Sequence, residues 1–206
     1  MFNKLFKLNK TMPQEQFWIW FAERSLAYFD FEENQEPLFD DLTNALSRVQ
    51  LGLTFEFGPK ENGIREFVIS ADGDRKLFLP VTQLVKSAPP LKQWKVLAFR
   101  QRRDAECEIK INEVMVTTER IHFVLEPDGN RIGVTLYFDN YRQLSQDVLS
   151  TTAFLFLDNA LGEYDVETKV GIIEHKHLHD DENKSSLSPF EKLPSAFDAL
   201  YAKLHN

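Results

Sequence analysis

Five consecutive apolar residues, FWIWF at positions 17–21, constrain the fold of this chain more than any other stretch. In an α-helix, successive side chains are about 100° apart, so these five cannot share one narrow stripe. Phe17, Phe21 and Tyr28 lie on one broad side, which we expect to cover a sheet. Trp20 lies on a second side, so the sequence predicts a helix that is apolar on two sides.

Trp20 therefore needs a surface to pack against, and two interpretations remain open. Another helix could cover it, in which case Trp20→Ala should cost roughly 3–5 kcal/mol of stability. Alternatively, Trp20 and Phe31 are exposed anchors for an unknown protein partner or a homodimer, because tryptophan is enriched in interface hot spots. In that case the variant monomer should keep its melting temperature and lose its partner.

The capping residues set the bounds of this helix and the organisation of the chain. Thr11 is the predicted N-cap, Pro13 lies in the first turn, and the helix should end near Tyr28 or Phe29. With 206 residues, 43% of them hydrophobic, the chain is long enough for one aromatic-rich core. We expect a single domain over residues 1–206, with residues 1–11 as a flexible N-terminal arm and residues 180–188 as a polar loop before a C-terminal helix.

Period-two alternation predicts the strands. The hairpin LTFEF and REFVIS is followed by a short helix before Pro89 and Pro90, and by the buried strand WKVLAF. Ser145 and Gly162 bound a long, largely buried helix. Grouped helices and strands joined by tight turns predict an α+β fold with a mostly antiparallel sheet packed against helices. Further strands are predicted at residues 106–111, 120–126, 131–138 and 165–178.

Charge and composition restrict the class of function. A formal net charge of -8 disfavours nucleic-acid binding, since that binding depends on basic side chains, and the cluster Arg100–Arg103 is interpreted as a solvated strand end. One cysteine, Cys107, excludes an intramolecular disulfide and is expected to be a small buried residue. No apolar run approaches the roughly 20 residues of a transmembrane segment. We therefore expect a cytoplasmic protein.

Three histidines form the strongest candidate metal site. If the last strand persists, His175, His177 and His179 lie on one face, where imidazoles can share a zinc ion. Asp180 or Asp181 would complete the ligands of a metal-dependent hydrolase. The alternative is a charged strand end without a cofactor, since this spacing is not diagnostic of a zinc site.

Three carboxylates form a second candidate. Glu163, Asp165 and Glu167 are close in sequence, and two of them on one strand face could act as an acid/base pair. Acidic residues at a helix exit are more often simply hydrated. The chain contains no nucleophile elbow, phosphate-binding loop, dinucleotide motif or H-E-x-x-H zinc motif, and His122 is interpreted as structural.

Three segments, SAPPLKQWKVLAFRQRR, EFVISADGD and DNALGEYDVE, resemble a family of uncharacterised bacterial proteins that is defined only as a domain of unknown function. The similarity covers roughly Phe17 to Ile173. It implies a compact bacterial domain and no established activity, cofactor or catalytic residue.

The absence of assembled catalytic motifs favours recognition over catalysis. The leading hypothesis is a cytoplasmic protein-binding or regulatory module, of which an acidic inhibitor of a basic toxin is one concrete form. The competing hypothesis is the hydrolase built on the histidines or on Glu163 and Asp165.

Overall fold

The computed structural model describes residues 12–111, 113–178 and 186–205. The chain divides into two compact units, residues 1–99 and 100–206. Within the described ranges each unit has its own hydrophobic core. Helices and mostly antiparallel strand pairs confirm the predicted α+β class. The grouping of both units into the single domain expected from the sequence stays a prediction.

Within residues 12–99, the first unit contains a three-stranded sheet and three α-helices. Its strands have the order β1-β2-β3, in which β1 and β2 form an antiparallel hairpin and β3 runs parallel to β2. The elements are α1 (Pro13–Phe29), a 3₁₀ turn (Phe31–Glu33), α2 (Gln35–Val49), β1 (Thr54–Glu61), β2 (Ile64–Ser70), a 3₁₀ turn (Arg75–Leu77), α3 (Phe78–Lys86) and β3 (Trp94–Ala98).

Aromatic rings fill the core of the first unit. The Phe67 ring on β2 lies 4.8 Å from that of Phe21 and 6.0 Å from that of Trp18, both on α1. The Trp18 indole N–H donates to the Leu84 carbonyl at 2.8 Å, which joins α1 to α3. The broad apolar side predicted for the first helix is therefore confirmed as its buried side.

The second unit contains a small hairpin and a four-stranded sheet. In the larger sheet the order is β8-β7-β6-β9, with β7 and β8 parallel and the other pairs antiparallel. The elements are β4 (Glu108–Ile111), β5 (Val114–Thr117), a 3₁₀ turn (Thr118–Arg120), β6 (Ile121–Asp128), β7 (Arg131–Asp139), α4 (Gln146–Leu161), α5 (Glu163–Lys169), β8 (Val170–Leu178), β9 (Ser188–Pro189), a 3₁₀ turn (Phe190–Lys192) and α6 (Leu193–His205).

Helix α4 begins and ends where its capping residues predict. The Ser145 hydroxyl accepts a hydrogen bond from the Val148 N–H at 3.4 Å, and Gly162 ends the helix with φ of 79°. Leu149, Phe156 and Leu157 on this helix are buried. The predicted long helix is thus confirmed, and it covers the second core.

Two local predictions are wrong, and one strand was not predicted. The N-cap position of α1 is Met12, while Thr11 lies outside the described residues. The strand predicted from residue 165 begins only at Val170, because the preceding residues form α5. Strand β5 was not predicted, since four residues are too few for a clear alternation pattern.

Candidate functional site

The outward side of α1 carries an exposed aliphatic stripe. Met12, Ile19 and Leu26 are 58%, 60% and 67% exposed, and they recur every seven residues. Ala22, also exposed, lies between Ile19 and Leu26 on the same side. We call these four residues the α1 stripe. Their exposure is notable because large aliphatic side chains on one helix side normally face a core or a partner.

Acidic side chains lie within the α1 stripe and at its edge: Glu15 is one turn from Met12 and from Ile19, and Glu23 is one turn from Ile19. Glu15 accepts a hydrogen bond from the Met12 backbone N–H at 3.4 Å, and Glu23 forms an exposed ion pair with Arg24 at 3.2 Å. Between residues 12 and 49 the chain has eight acidic and two basic side chains. Helices α1 and α2 and the connection between them, which carries three of the eight carboxylates, therefore form the acidic layer of the first unit.

Trp20, the predicted interface anchor, is half-buried against the first core. Its ring centroid lies 5.8 Å from that of Tyr28 and 6.0 Å from that of Phe17. The Arg24 guanidinium lies 5.2 Å from the Trp20 ring centroid on the accessible side. A role of Trp20 in partner binding stays a prediction.

Phe31, the second predicted anchor, is also half-buried and lies under a charged cluster. The guanidinium of Arg65, which is 2% exposed, stacks 4.5 Å from the Phe31 ring centroid and donates a hydrogen bond to Glu32. That hydrogen bond lowers the pKa of Glu32. Lys60 pairs with Asp30 at 2.6 Å. These ion pairs join the α1–α2 connection to the sheet.

The Arg65 guanidinium is only partly satisfied. Within the described part of the chain, its Nε and Nη1 atoms are buried without a hydrogen-bond acceptor, as is Nε1 of the neighbouring Trp94. Stacking on phenylalanine rings compensates in part for the lost hydration of the cation. We infer a structural role for Arg65.

Two of the three candidate metal ligands lie on one strand face, as predicted. His175 and His177 on β8 are half-buried and pair in register with Leu136 and Phe138 of β7, which belong to the second core. His179 lies outside the described residues. Among residues 12–111, 113–178 and 186–205, no group of three His, Cys, Asp or Glu side chains is arranged to hold a metal ion. The metal site stays a prediction.

The carboxylates of α5 do not share a strand face, because they lie on a helix. Glu163 and Asp165 are two residues apart and therefore lie on opposite sides of it. Glu163 is buried and accepts a hydrogen bond from the Arg100 backbone N–H at 3.1 Å. Asp165 pairs with Arg102 and, at 2.8 Å, with Lys169. The predicted strand face is thus wrong. Glu163 and Glu167, four residues apart, lie on the same side of the helix, and an acid/base pair of carboxylates stays a prediction.

In the second unit, the basic cluster Arg100–Arg103 contacts acidic residues of α4, α5 and α6, which are distant from it in sequence. Arg102 also binds Asp198 at 2.8 Å, and Arg100 binds Asp158 at 3.3 Å. The Arg103 backbone N–H donates to the Asn159 carbonyl at 2.8 Å. The segment after β3 therefore packs along the α4–α5 junction instead of forming a fully solvated strand end.

Asp158 is the carboxylate at this junction whose pKa is shifted most. Its side chain is 22% exposed, and burial raises its pKa to about 6, with Arg100 opposing that rise. The negative charge of Glu163 raises the pKa further. Sequence reasoning missed Asp158 because it lies inside an apolar helical segment, DNAL, without a second titratable residue beside it.

Cys107 is partly buried against the second core. Its Sγ accepts a hydrogen bond from the Asn159 side-chain amide at 3.4 Å, and burial raises the pKa of the thiol. A thiol with a raised pKa is a weak nucleophile, so its chemistry agrees with the packing role expected from the sequence.

A shallow cleft of about 190 Å³ lies in the second unit. Phe190 and Thr118 form buried parts of its lining, and three glutamates surround them. The glutamates are Glu106, Glu119 and Glu191. A cleft of this composition attracts cations and repels anionic substrates.

A scan against protein-family models and a search of curated proteins found no match to this chain. The resemblance to an uncharacterised bacterial family therefore stays a prediction. No helix in the described ranges is long and apolar enough to cross a membrane.

Proposed function

We propose that this protein is a protein-binding or regulatory module that acts without catalysis and recognises a basic partner. The supporting observation is the acidic layer formed by α1 and α2. Glu33, Glu36, Asp40 and Asp41 are exposed, and none of them forms an ion pair with another described residue. Exposed carboxylates of one sign attract a basic protein over several ångströms and accelerate its association.

Three acidic residues of the second unit differ from these four, because they form ion pairs within that unit. Asp165 and Asp198 are held by Arg102, and Asp158 is held by Arg100. Carboxylates that already have internal cationic partners contribute little to the recognition of another protein. An acidic, inhibitor-like partner of a basic protein is the concrete form of this proposal. Cytoplasmic action belongs to the proposal, because a single cysteine suits a reducing compartment.

Affinity capture from the native host at low and high salt tests the proposal. We expect a basic protein to co-purify at low salt and to dissociate at high salt, because screening weakens exposed charge pairs. The variant Glu33→Gln, Glu36→Gln, Asp40→Asn should retain less of that protein.

The matched control neutralises three exposed glutamates around the cleft of the second unit: Glu106→Gln, Glu119→Gln and Glu191→Gln. This control should retain the partner fully. A protein that elutes alone at both salt concentrations would contradict the proposed function, and a loss of the partner from the cleft variant alone would move the binding surface to the cleft.

A further inference from the structure

We propose that the α1 stripe is the docking site for a basic amphipathic helix of a partner protein. This inference rests on the proposed function and specifies where and how the partner binds. Acidic residues on α2 supply long-range attraction, whereas the α1 stripe supplies the apolar contact that fixes the position of the partner.

The α1 stripe has the geometry of a helix-docking seam. Met12 at the N-cap, Ile19 and Leu26 are spaced by seven residues, so the stripe spans 15 residues, or about 21 Å along the helix axis. In paired helices, apolar residues at two positions of each heptad form the seam. Met12, Ile19 and Leu26 share the first of these positions and Ala22 lies at the second, which Glu15 occupies in the preceding heptad. Helix-groove recognition uses anchors at this spacing.

Ala22 provides space at the centre of the seam. Its small side chain lies between Ile19 and Leu26, one turn from each. A large apolar side chain of the partner helix can therefore pack between the two aliphatic anchors. The opposite side of α1 is already occupied by the first core, so a docking helix would leave the packing of Phe17 and Phe21 unchanged.

Charge selects a basic partner over a second copy of this chain. Glu15 lies within the stripe, one turn from Met12 and from Ile19, and Glu23 lies at its edge. Residues 12–49, which include α1, α2 and their connection, have eight acidic and two basic side chains. Two copies packed stripe to stripe would bring these acidic side chains together, and like charges at helix-pair flanks disfavour pairing. Lysine or arginine at the flanks of the partner helix complements Glu15 and Glu23.

A designed peptide provides a direct test. The probe is a helical peptide of about 21 residues with leucine at the two seam positions of each heptad and lysine at the flanking positions. The matched control peptide has glutamate in place of every lysine. Binding is measured by fluorescence anisotropy on the full-length protein, and amide hydrogen exchange locates the protected residues.

We expect the lysine peptide to bind and to protect α1, and the glutamate peptide to bind at least about tenfold more weakly. Ile19→Gln with Leu26→Gln should weaken the lysine peptide by about tenfold or more. Leu79→Gln is the control, because Leu79 is 65% exposed on another helix of the same unit. This control variant should bind the peptide like the unmodified protein.

Equal binding by all three proteins, or protection outside α1, would overturn the docking site. Self-association that Ile19→Gln with Leu26→Gln abolishes would identify a second copy as the occupant and would also overturn it. Peptide binding that is seen only after deletion of residues 1–11 would assign the seam to that segment, with the same consequence.

The two proposals fail separately. If a host partner is lost from the α2 carboxylate variant but retained by Ile19→Gln with Leu26→Gln, the docking site is wrong and the proposed function stands. If no host protein is captured at either salt concentration, the proposed function fails, whatever the peptide does.

Discussion

The two units of this protein have the same order and direction of three strands, but their cores differ in the side chains that they contain. In each, an antiparallel hairpin is followed by a helical connection and then by a strand parallel to the second hairpin strand: β1, β2 and β3 in the first unit, and β6, β7 and β8 in the second. Aromatic rings form a larger share of the first core than of the second, where aliphatic side chains dominate. The shared strand order therefore depends on the pattern of apolar positions more than on the shapes of the side chains.

The two units also differ in the exposure of their acidic side chains. In the first, the acidic side chains of α2 are exposed, whereas in the second an arginine pair holds carboxylates at the α4–α5 junction. Each unit also has the other kind of carboxylate, since Asp30 and Glu32 form ion pairs in the first unit and Glu106, Glu119 and Glu191 are exposed in the second. The proposed binding surface is therefore the group of exposed carboxylates at residues 33–41, and not the first unit as a whole.

The largest expected effect concerns the aromatic core. Phe67→Ala should reduce the free energy of unfolding of the first unit by about 3–5 kcal/mol, because the Phe67 ring contacts several other buried rings. Urea unfolding measures the loss. Leu136→Ala at a buried position of β7 is the comparison in the second unit. A smaller loss of unfolding free energy for Phe67→Ala than for Leu136→Ala would contradict the expectation that ring packing makes Phe67 the more stabilising residue.

The next effect is the pH dependence of the second unit. Because the pKa of Asp158 is raised from 3.8 to about 6, the folded chain binds this proton more tightly than the unfolded chain. The free energy of unfolding should therefore fall as pH rises through this range. Relative to Asp158→Asn, the unmodified protein should lose about 2–3 kcal/mol between roughly pH 4 and pH 7. Parallel stability profiles for the two proteins would contradict this assignment.

Gly162→Ala tests how closely the Arg100–Arg103 segment packs on the α4–α5 junction. Gly162 has φ of +79°, and an added Cβ would lie 3.1 Å from the Arg100 carbonyl and 3.2 Å from the Arg102 nitrogen. We expect a loss of about 2 kcal/mol by urea unfolding. The control is Gly129→Ala, where φ is also positive but no atom lies within 4 Å of the added Cβ. Similar losses for both variants would mean that contact with the Arg100–Arg103 segment does not contribute to the destabilisation by Gly162→Ala.

The smallest expected effect concerns the α1 stripe. Ile19→Gln and Leu26→Gln should each change the free energy of unfolding by no more than about 0.5 kcal/mol, because both side chains are exposed in the unbound protein. Thermal unfolding provides the measurement. A loss above about 2 kcal/mol would show that the stripe is covered in the folded protein and would remove it as a free docking surface.

Local chemistry explains which elements could be predicted from the sequence. Ser145 and Gly162 predicted α4 because capping depends on the capping residues themselves. The hairpin turn at Asn62 and Gly63 has positive φ at both residues, as its composition favours. Where a few adjacent residues determine the conformation, the sequence alone is sufficient to predict the element.

Tertiary contacts explain the failures. The segment DVETKV alternates like a strand, yet its first residues belong to α5, whose buried Glu163 is hydrogen-bonded to a distant backbone group of Arg100. Similarly, the broad buried side of the first helix was predicted, but the second apolar side was predicted at Trp20, whereas the exposed aliphatic residues are Ile19 and Leu26. Tyr28 and Phe17 hold Trp20 against the core, and which residue remains exposed depends on that packing.

The uneven distribution of indoles has a practical consequence. All three tryptophans, Trp18, Trp20 and Trp94, belong to the first unit. Intrinsic emission excited selectively at tryptophan therefore reports on that half of the molecule alone, whereas far-ultraviolet circular dichroism averages over both halves. Comparing the two spectroscopic signals during denaturation would show, without any label, whether the halves melt together or in sequence.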